Sequence, residues 1–268
     1  MSPINKLLAA ISVSVASLSA FAAPAPPPPP PDCTLDSFTI TSATVSGTSL
    51  TQNFAPSIQA TSCYGLIVGN DESGGTLDPN PNLGWLNDGF LNGQDGKVSP
   101  TQFITPDQLQ ALEDPTKAVD PGWIMLAYGN GSSVDITYND RPFDLSEVLE
   151  IKFNANGTWT LSTVANIVEI LEQKLPNRTY FDHLAFTIKS STFWAIYDFD
   201  FNQFPGFDLN QPYSFTGTWN TDDFDGKDVS HLSVWARDPI ITNDVPLPGT
   251  LMLIGAGLVA LGFSRRKA

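Results

Sequence analysis

Apolar and polar positions alternate over many short stretches of this chain, the period-two signature of strands with one buried face. Val134, Ile136 and Tyr138 alternate with Asp135 and Thr137, and Tyr213, Phe215, Gly217 and Trp219 alternate with Ser214, Thr216, Thr218 and Asn220. Phe193, Ala195, Tyr197, Phe199 and Phe201 share one face of a further stretch; Trp194, Ile196, Asp198, Asp200 and Asn202 share the other. Trp123 to Tyr128 is apolar on both faces, as a central strand is. Turn residues fall between these runs. Asn156-Gly157 predicts a hairpin, because both residues tolerate positive φ. Gly129-Asn130-Gly131, Pro205-Gly206 and Asp225-Gly226 mark further turns. Val164, Ile167, Ile170, Leu171, Lys174 and Leu175 recur at helical spacing, and Pro176 follows to stop the helix. The stretch from about Asn70 to Asp120 is rich in Gly, Pro, Asn and Asp, which predicts loop with weak strand pairing. The expected fold is all-β: an antiparallel β-sandwich, jelly-roll-like or lectin-like, with one short helix.

Both ends read differently. Residues 1–22 carry one cation, Lys6, and then an apolar run from Leu7 to Ala22. Ala20 and Ala22 put small residues at −3 and −1 of a signal-peptidase site, so 1–22 is expected to be an N-terminal signal helix removed on export. Pro24 and the unbroken run Pro26 to Pro31 predict a stiff polyproline linker over 23–32, rising about 3.1 Å per residue. The expected ectodomain is 33–241.

Charge narrows the partners. All 28 acidic residues lie between Asp32 and Asp244, and the ectodomain sets 9 basic residues against them, a balance of −19. Such a surface repels polyphosphate, so no nucleic-acid partner is expected. In an exported chain the two cysteines, Cys33 and Cys63, read as a disulfide. The loop it closes stabilises the fold by about 3–4 kcal/mol on the chain-entropy scale.

At the C-terminal end, 242–250 is an extended linker holding Val245-Pro246-Leu247-Pro248-Gly249-Thr250, whose prolines join neither a helix nor a central strand. Leu251 to Phe263 is free of charge and is expected to form a transmembrane helix over 251–263, about 20 Å long. A tail at 264–268 carries Arg265, Arg266 and Lys267, which the positive-inside rule keeps cytoplasmic. This arrangement resembles the PEP-CTERM sorting signal recognised by exosortases, membrane proteases of bacteria that make exopolysaccharide. Leu247 stands where that family's box carries Glu. The resemblance implies an exosortase-type sorting protease as partner besides signal peptidase. It also implies anchoring in the inner membrane before processing, then a place in the cell envelope or extracellular matrix. The ectodomain is similar to a group of PEP-CTERM proteins through Cys63-Tyr64-Gly65 with Gly69-Asn70-Asp71, Phe181 to Phe186 through Lys189, and Ser230 to Trp235. That likeness implies a β-sandwich and no activity.

Candidate chemistry is sparse. His183 and His231 fall on polar strand faces and read as surface or rim residues, which meet as a site only if neighbouring strands bring them together. No H-E-x-x-H, C-x-x-C or glycine-rich phosphate loop is present. Asp222, Asp223, Asp225 and Asp228 crowd a Gly226 turn, where a solvated acidic loop is the expected reading and calcium the candidate cation should their carboxylates converge, although Phe224 breaks the EF-hand order. Asp198, Asp200 and Asp208 with Asn202 form a second acidic group. Trp194 or Trp235, if exposed, would stack a sugar ring, although most of the tryptophans are expected in the core. The expected function is a noncatalytic surface or matrix protein needing no cofactor, with exopolysaccharide as its ligand. The alternative is a secreted glycan hydrolase on a lectin-like sandwich, using paired carboxylates.

Overall fold

The computed structural model describes residues 33–71, 82–104, 121–130, 135–138, 144–174 and 180–237. The signal segment with Ala20 and Ala22, the proline run, the sorting box, the span 251–263 and the basic tail lie outside these residues. Among the described residues no helix is long and apolar enough to cross a membrane.

Eleven strands and one helix follow in order: β1 Phe38–Val45, β2 Thr51–Gln59, β3 Ser62–Val68, β4 Trp123–Asn130, β5 Asp135–Tyr138, β6 Leu149–Asn154, β7 Thr158–Thr163, α1 Ile167–Lys174, β8 His183–Ser190, β9 Phe193–Asp200, β10 Tyr213–Trp219 and β11 Val229–Arg237. They make two antiparallel sheets, ordered β2-β1-β10-β7-β6 and β3-β9-β8-β11-β4-β5. The strand predicted from Tyr213 to Trp219 and the helix predicted around Ile167 both form. The hairpin of β6 and β7 forms as well, but its loop is Ala155-Asn156-Gly157 and only Gly157 takes positive φ, at 78°. Gly129 and Asn130 extend β4 instead of turning it; the connection to β5 falls at 131–134, outside the described residues.

The two sheets share one core. Phe38 of β1 stacks on Phe186 of β8 at 4.8 Å and lies 5.0 Å from Tyr197 of β9. Trp159 of β7 closes on the same Phe186 at 4.8 Å and donates its indole N–H to the Thr39 carbonyl at 3.1 Å. That indole requires Gly217 beneath it: a Cβ there would sit 2.4 Å from the Trp159 ring and 1.9 Å from the Thr39 carbonyl oxygen. The predicted disulfide forms, with Cα atoms 6.0 Å apart, and ties Cys33, just before β1, to Cys63 of β3 in the other sheet.

One expectation is corrected. Strands β8 and β9 are not half-buried; β8 is buried at every position and β9 at all but its ends. The outer face of the six-stranded sheet is covered by residues 82–104, which form only turns and two 3-10 turns, with no strand among them. Phe90, Leu91 and Val98 pack there on Trp123, Met125, Trp194, Ile196 and Trp235. The tryptophans proposed for sugar stacking are therefore core residues: Trp194 is 1% exposed and Trp235 is fully buried.

Side-chain amides bind this cover to the sheet. β5 pairs with β4 only from Ala127 onward, which leaves the first half of β4 without a strand on that edge. Asn92 accepts from the Trp123 N–H at 3.0 Å and donates to the Trp123 carbonyl at 2.7 Å. Asn82 does the same for Met125, at 2.9 and 3.2 Å. Each amide thus stands in for one residue of a missing strand and satisfies a buried donor and acceptor together. The Asp88 carboxylate holds the turn behind them, accepting from the backbone N–H groups of Asn82, Leu83 and Gly84. Replacing Asn92 by Ala strands the Trp123 N–H and C=O in a dry interior. Urea unfolding of that variant is expected to show a loss of about 2–4 kcal/mol.

Candidate functional site

The ionisable groups that the fold gathers lie under that cover. His183, at the start of β8, is fully buried, and its Nδ1 lies 3.0 and 3.1 Å from the two Asp198 carboxylate oxygens on β9. Nε2 has no hydrogen-bond partner among the described residues; the nearest carboxylate oxygen, from Asp200, is 3.6 Å away. The Trp123 ring stands edge-on at 5.6 Å. Arg237, opposite His183 in the β8–β11 register, pairs with Asp182 and donates Nε–H to the Pro121 carbonyl at 2.8 Å. Two cations and three carboxylates thus pack together, His183 paired with Asp198 and Arg237 with Asp182, while the third carboxylate, Asp200, keeps 13% exposure; the buried charges depend on these pairings.

The second histidine forms a separate pair. His231 Nε2 lies 2.6 Å from the buried Asp71 carboxylate, and Tyr128 stacks on its ring at 5.2 Å. Register pairs Arg237 with His183 and His231 with Lys189, so the two histidines stand six positions apart, about 20 Å. They do not meet as a site, and neither is a free surface residue: His183 is sealed and His231 is mostly so. Their faces were assigned correctly from alternation, but those faces are interior.

The four turn aspartates are also dispersed. Asp223 faces inward and accepts from the Thr34 N–H at 3.0 Å, Ser37 Oγ at 2.8 Å, the Tyr197 hydroxyl at 2.7 Å and Thr34 Oγ1. Burial pushes its pKa up, but these donors outweigh burial and hold it below the usual carboxylate value. Asp225 takes left-handed backbone and faces Lys227 at 3.9 Å, while Asp222 and Asp228 are exposed. Asp208 lies apart from Asp198 and Asp200, holding Asn210 and Gln211. Among the described residues no group of three or more His, Cys, Asp or Glu is arranged to share a metal ion.

Two hollows remain. One, about 80 Å³, is apolar and lies between the sheets against Leu126, Leu161, Phe201 and Phe215. The other, about 250 Å³ and open, sits beside the β6–β7 hairpin and is lined by Trp219, Asn220, Asp222, Lys227 and Asp228. The Trp219 Nε1–H has no hydrogen-bond partner among the described residues. The amide and two carboxylates of this hollow suit a polyhydroxylated ligand, while Trp219, on the apolar face of β10, packs inward on Phe153 at 6.0 Å as its strand position predicts.

The buried cluster gives a pH signature. Burial disfavours a charged His183, but Asp198 above all outweighs that and raises its pKa. Burial raises Asp198 and Asp182, against the pull of His183 and Arg237. Each shift means that the folded state holds protons more tightly, so stability falls as pH rises. The His183 share is complete below its unfolded value of about 6.5 and disappears as pH passes its raised folded value. The melting temperature should therefore decline as pH rises above about 6.5. His183→Gln should flatten that decline and cost roughly 3–5 kcal/mol, since it leaves Asp198 buried without its cation.

Neither a curated protein nor a solved structure matches the chain. Residues 244–267, however, match the family model described as the PEP-CTERM protein-sorting motif. The chain therefore carries the C-terminal signal of PEP-CTERM proteins, the mark of an exported protein that is anchored at the membrane until an exosortase-type protease processes it.

Proposed function

We propose that this is a noncatalytic surface or extracellular-matrix protein, exported by way of signal peptidase and released to its final place by an exosortase-type protease. Its described domain is read as a jelly-roll-like or lectin-like sandwich whose ligand is exopolysaccharide. The observation that carries this reading is the sorting motif at 244–267. The sealing of both histidines, each against an aspartate, adds support: the bases needed for nucleophilic chemistry are occupied structurally. The open hollow beside the β6–β7 hairpin, with its amide and two carboxylates, supports a sugar ligand.

One observation favours a second reading. Asp222 and Asp228 line that same hollow, and paired carboxylates across a cleft are what glycoside hydrolysis needs. The two readings separate on a glycan array followed by a reducing-sugar assay of every glycan bound. Binding without sugar release, unchanged in Asp228→Asn, is expected; release abolished by Asp228→Asn would install the hydrolase instead.

Sorting is tested apart from binding. In cells containing the processing enzyme, intact-mass measurement of the protein outside the inner membrane should find Arg265, Arg266 and Lys267 gone. In cells lacking it, the full tail should stay in the membrane fraction. An intact basic tail on protein recovered from the medium would defeat the reading.

A further inference from the structure

The outer face of the five-stranded sheet has a composition unlike the rest of the molecule. Every outward residue on its three central strands is a serine or a threonine. On β10 these are Ser214, Thr216 and Thr218, and on β7 Thr158, Thr160 and Ser162. β1 contributes Thr39 and Thr44, with Thr41 and Ser42 at a bulge. The register sets them in rows across the strands. Thr39, Thr218 and Thr158 make one row, continued at the edges by Gln59 and Asn154. Ser42, Thr216 and Thr160 make the next, between Asn53 and Lys152. Neighbours in a row stand about 4.8 Å apart and rows about 6.7 Å apart, so the grid of hydroxyls spans about 10 Å across three strands, flanked by amides and Lys152 on the edge strands.

The hydroxyls are ordered along the rows: Thr39 and Thr218 lie 2.7 Å apart, Ser42 and Thr216 2.6 Å, and Thr44 and Thr51 2.9 Å. A hydroxyl has one proton and two lone pairs, so each bonded pair keeps one donor and several acceptor positions for a ligand. Thr216, Thr218 and Ser162 are exposed. Charge enters only on edge strand β6, where Glu150 and Lys152 neutralise each other at 2.7 Å. In a chain of formal charge −15, this face is neutral.

We infer that this hydroxyl grid is a binding face for an uncharged polysaccharide chain. The inference rests on the polysaccharide reading above and specifies its ligand class and surface. Charge selects the occupant: a polyanion finds no cation here beyond the paired Lys152 and meets an acidic protein around it. An apolar partner finds no aliphatic or aromatic side chain on the central strands. A neutral glycan presents hydroxyls that both donate and accept, as the grid does. Sheet twist, about 20° between adjacent strands, suits one flexible chain better than a planar crystal surface. The row of Thr218 and Thr158 leads toward the hollow at Gly157 and Asn220, while the Trp219 ring turns to the inner face of the sheet and packs on Phe153.

Native affinity electrophoresis of the full chain tests this in gels cast with hydroxyethyl cellulose, dextran or alginate. The expected result is retardation in a neutral gel and none in alginate. Combining Thr158→Val, Thr160→Val, Thr216→Val and Thr218→Val removes the hydroxyls but keeps branched strand-forming side chains, and should weaken binding at least tenfold. Thr216→Lys, a single exposed change that blocks the centre of the grid, should do the same if the fourfold variant fails to keep its melting temperature. Retardation unchanged in both variants but lost in Asn220→Ala would overturn the face and leave the hollow as the site. Retardation in alginate alone would overturn the neutral ligand class. No retardation in any gel would overturn both the face and the polysaccharide reading.

Discussion

The six-stranded sheet is apolar on both faces, and that constraint organises the rest of the molecule. One face is met by the five-stranded sheet through Phe38, Phe186 and Trp159. The other would leave Trp123, Trp194, Ile196 and Trp235 in water, a patch that a monomer does not keep exposed. The chain solves this with loop instead of a third sheet. A loop brings no ladder of its own, so the half of β4 without a strand partner is satisfied by the amides of Asn82 and Asn92. Burial of the tryptophans and pairing of the β4 edge are one device.

Covering that face also decides where chemistry can occur. His183, Asp198 and Arg237 sit on the covered side because strand alternation puts them there, and once sealed they persist only as mutual partners. The cluster resembles the hydrogen-bonded core of a catalytic site in one respect, an aspartate orienting a histidine. It lacks a group bonded to Nε2 among the described residues, and it lacks access. Its contribution is to specify how β8, β9 and β11 align at one end. What stays open is the opposite sheet and the loops at its hairpin end.

How far the sequence spoke follows from the same physics. Period-two alternation located β10 to the residue and β9 to within one turn, because side-chain direction in a strand follows from the backbone alone. The pairing of Cys33 with Cys63 and the tripartite C-terminus were legible for similarly local reasons. Burial was not, because it depends on what lies over a strand. His183 alternates with Ala185 and Thr187 as a solvent-facing residue would, and the distant segment 82–104 packs on that face of the sheet at Ala185, Trp194 and Trp235. Two signals did exist. Trp194 and Ile196 stand on the face of β9 that also carries Asp198, and Phe90, Leu91, Val98 and Phe103 punctuate a stretch otherwise read as loop. Together they describe a second apolar surface and its cover.

A division of labour follows from the two kinds of information in the chain. The address is carried by residues 244–267, whose function depends on order along the chain, so a short motif suffices and can be recognised without the domain. The domain's own role depends on surfaces that exist only after folding. Its acidic residues include buried partners such as Asp182 and Asp198 and exposed ones such as Glu150 on edge strand β6, and four of its six tryptophans are at most 1% exposed. The polar capacity left over is concentrated on the outer face of the five-stranded sheet, which no second layer covers among the described residues. On β1, β7 and β10 the inward positions are fixed by the core, from Phe38 and Trp159 that reach Phe186 to the Gly217 that the Trp159 indole requires, so packing leaves the outward positions free. Those positions hold hydroxyls in every case, whereas a merely solvated face would be expected to mix charges of both signs. That uniformity, set against the charge carried elsewhere, ties the exposed sheet to an uncharged ligand more firmly than any single residue could.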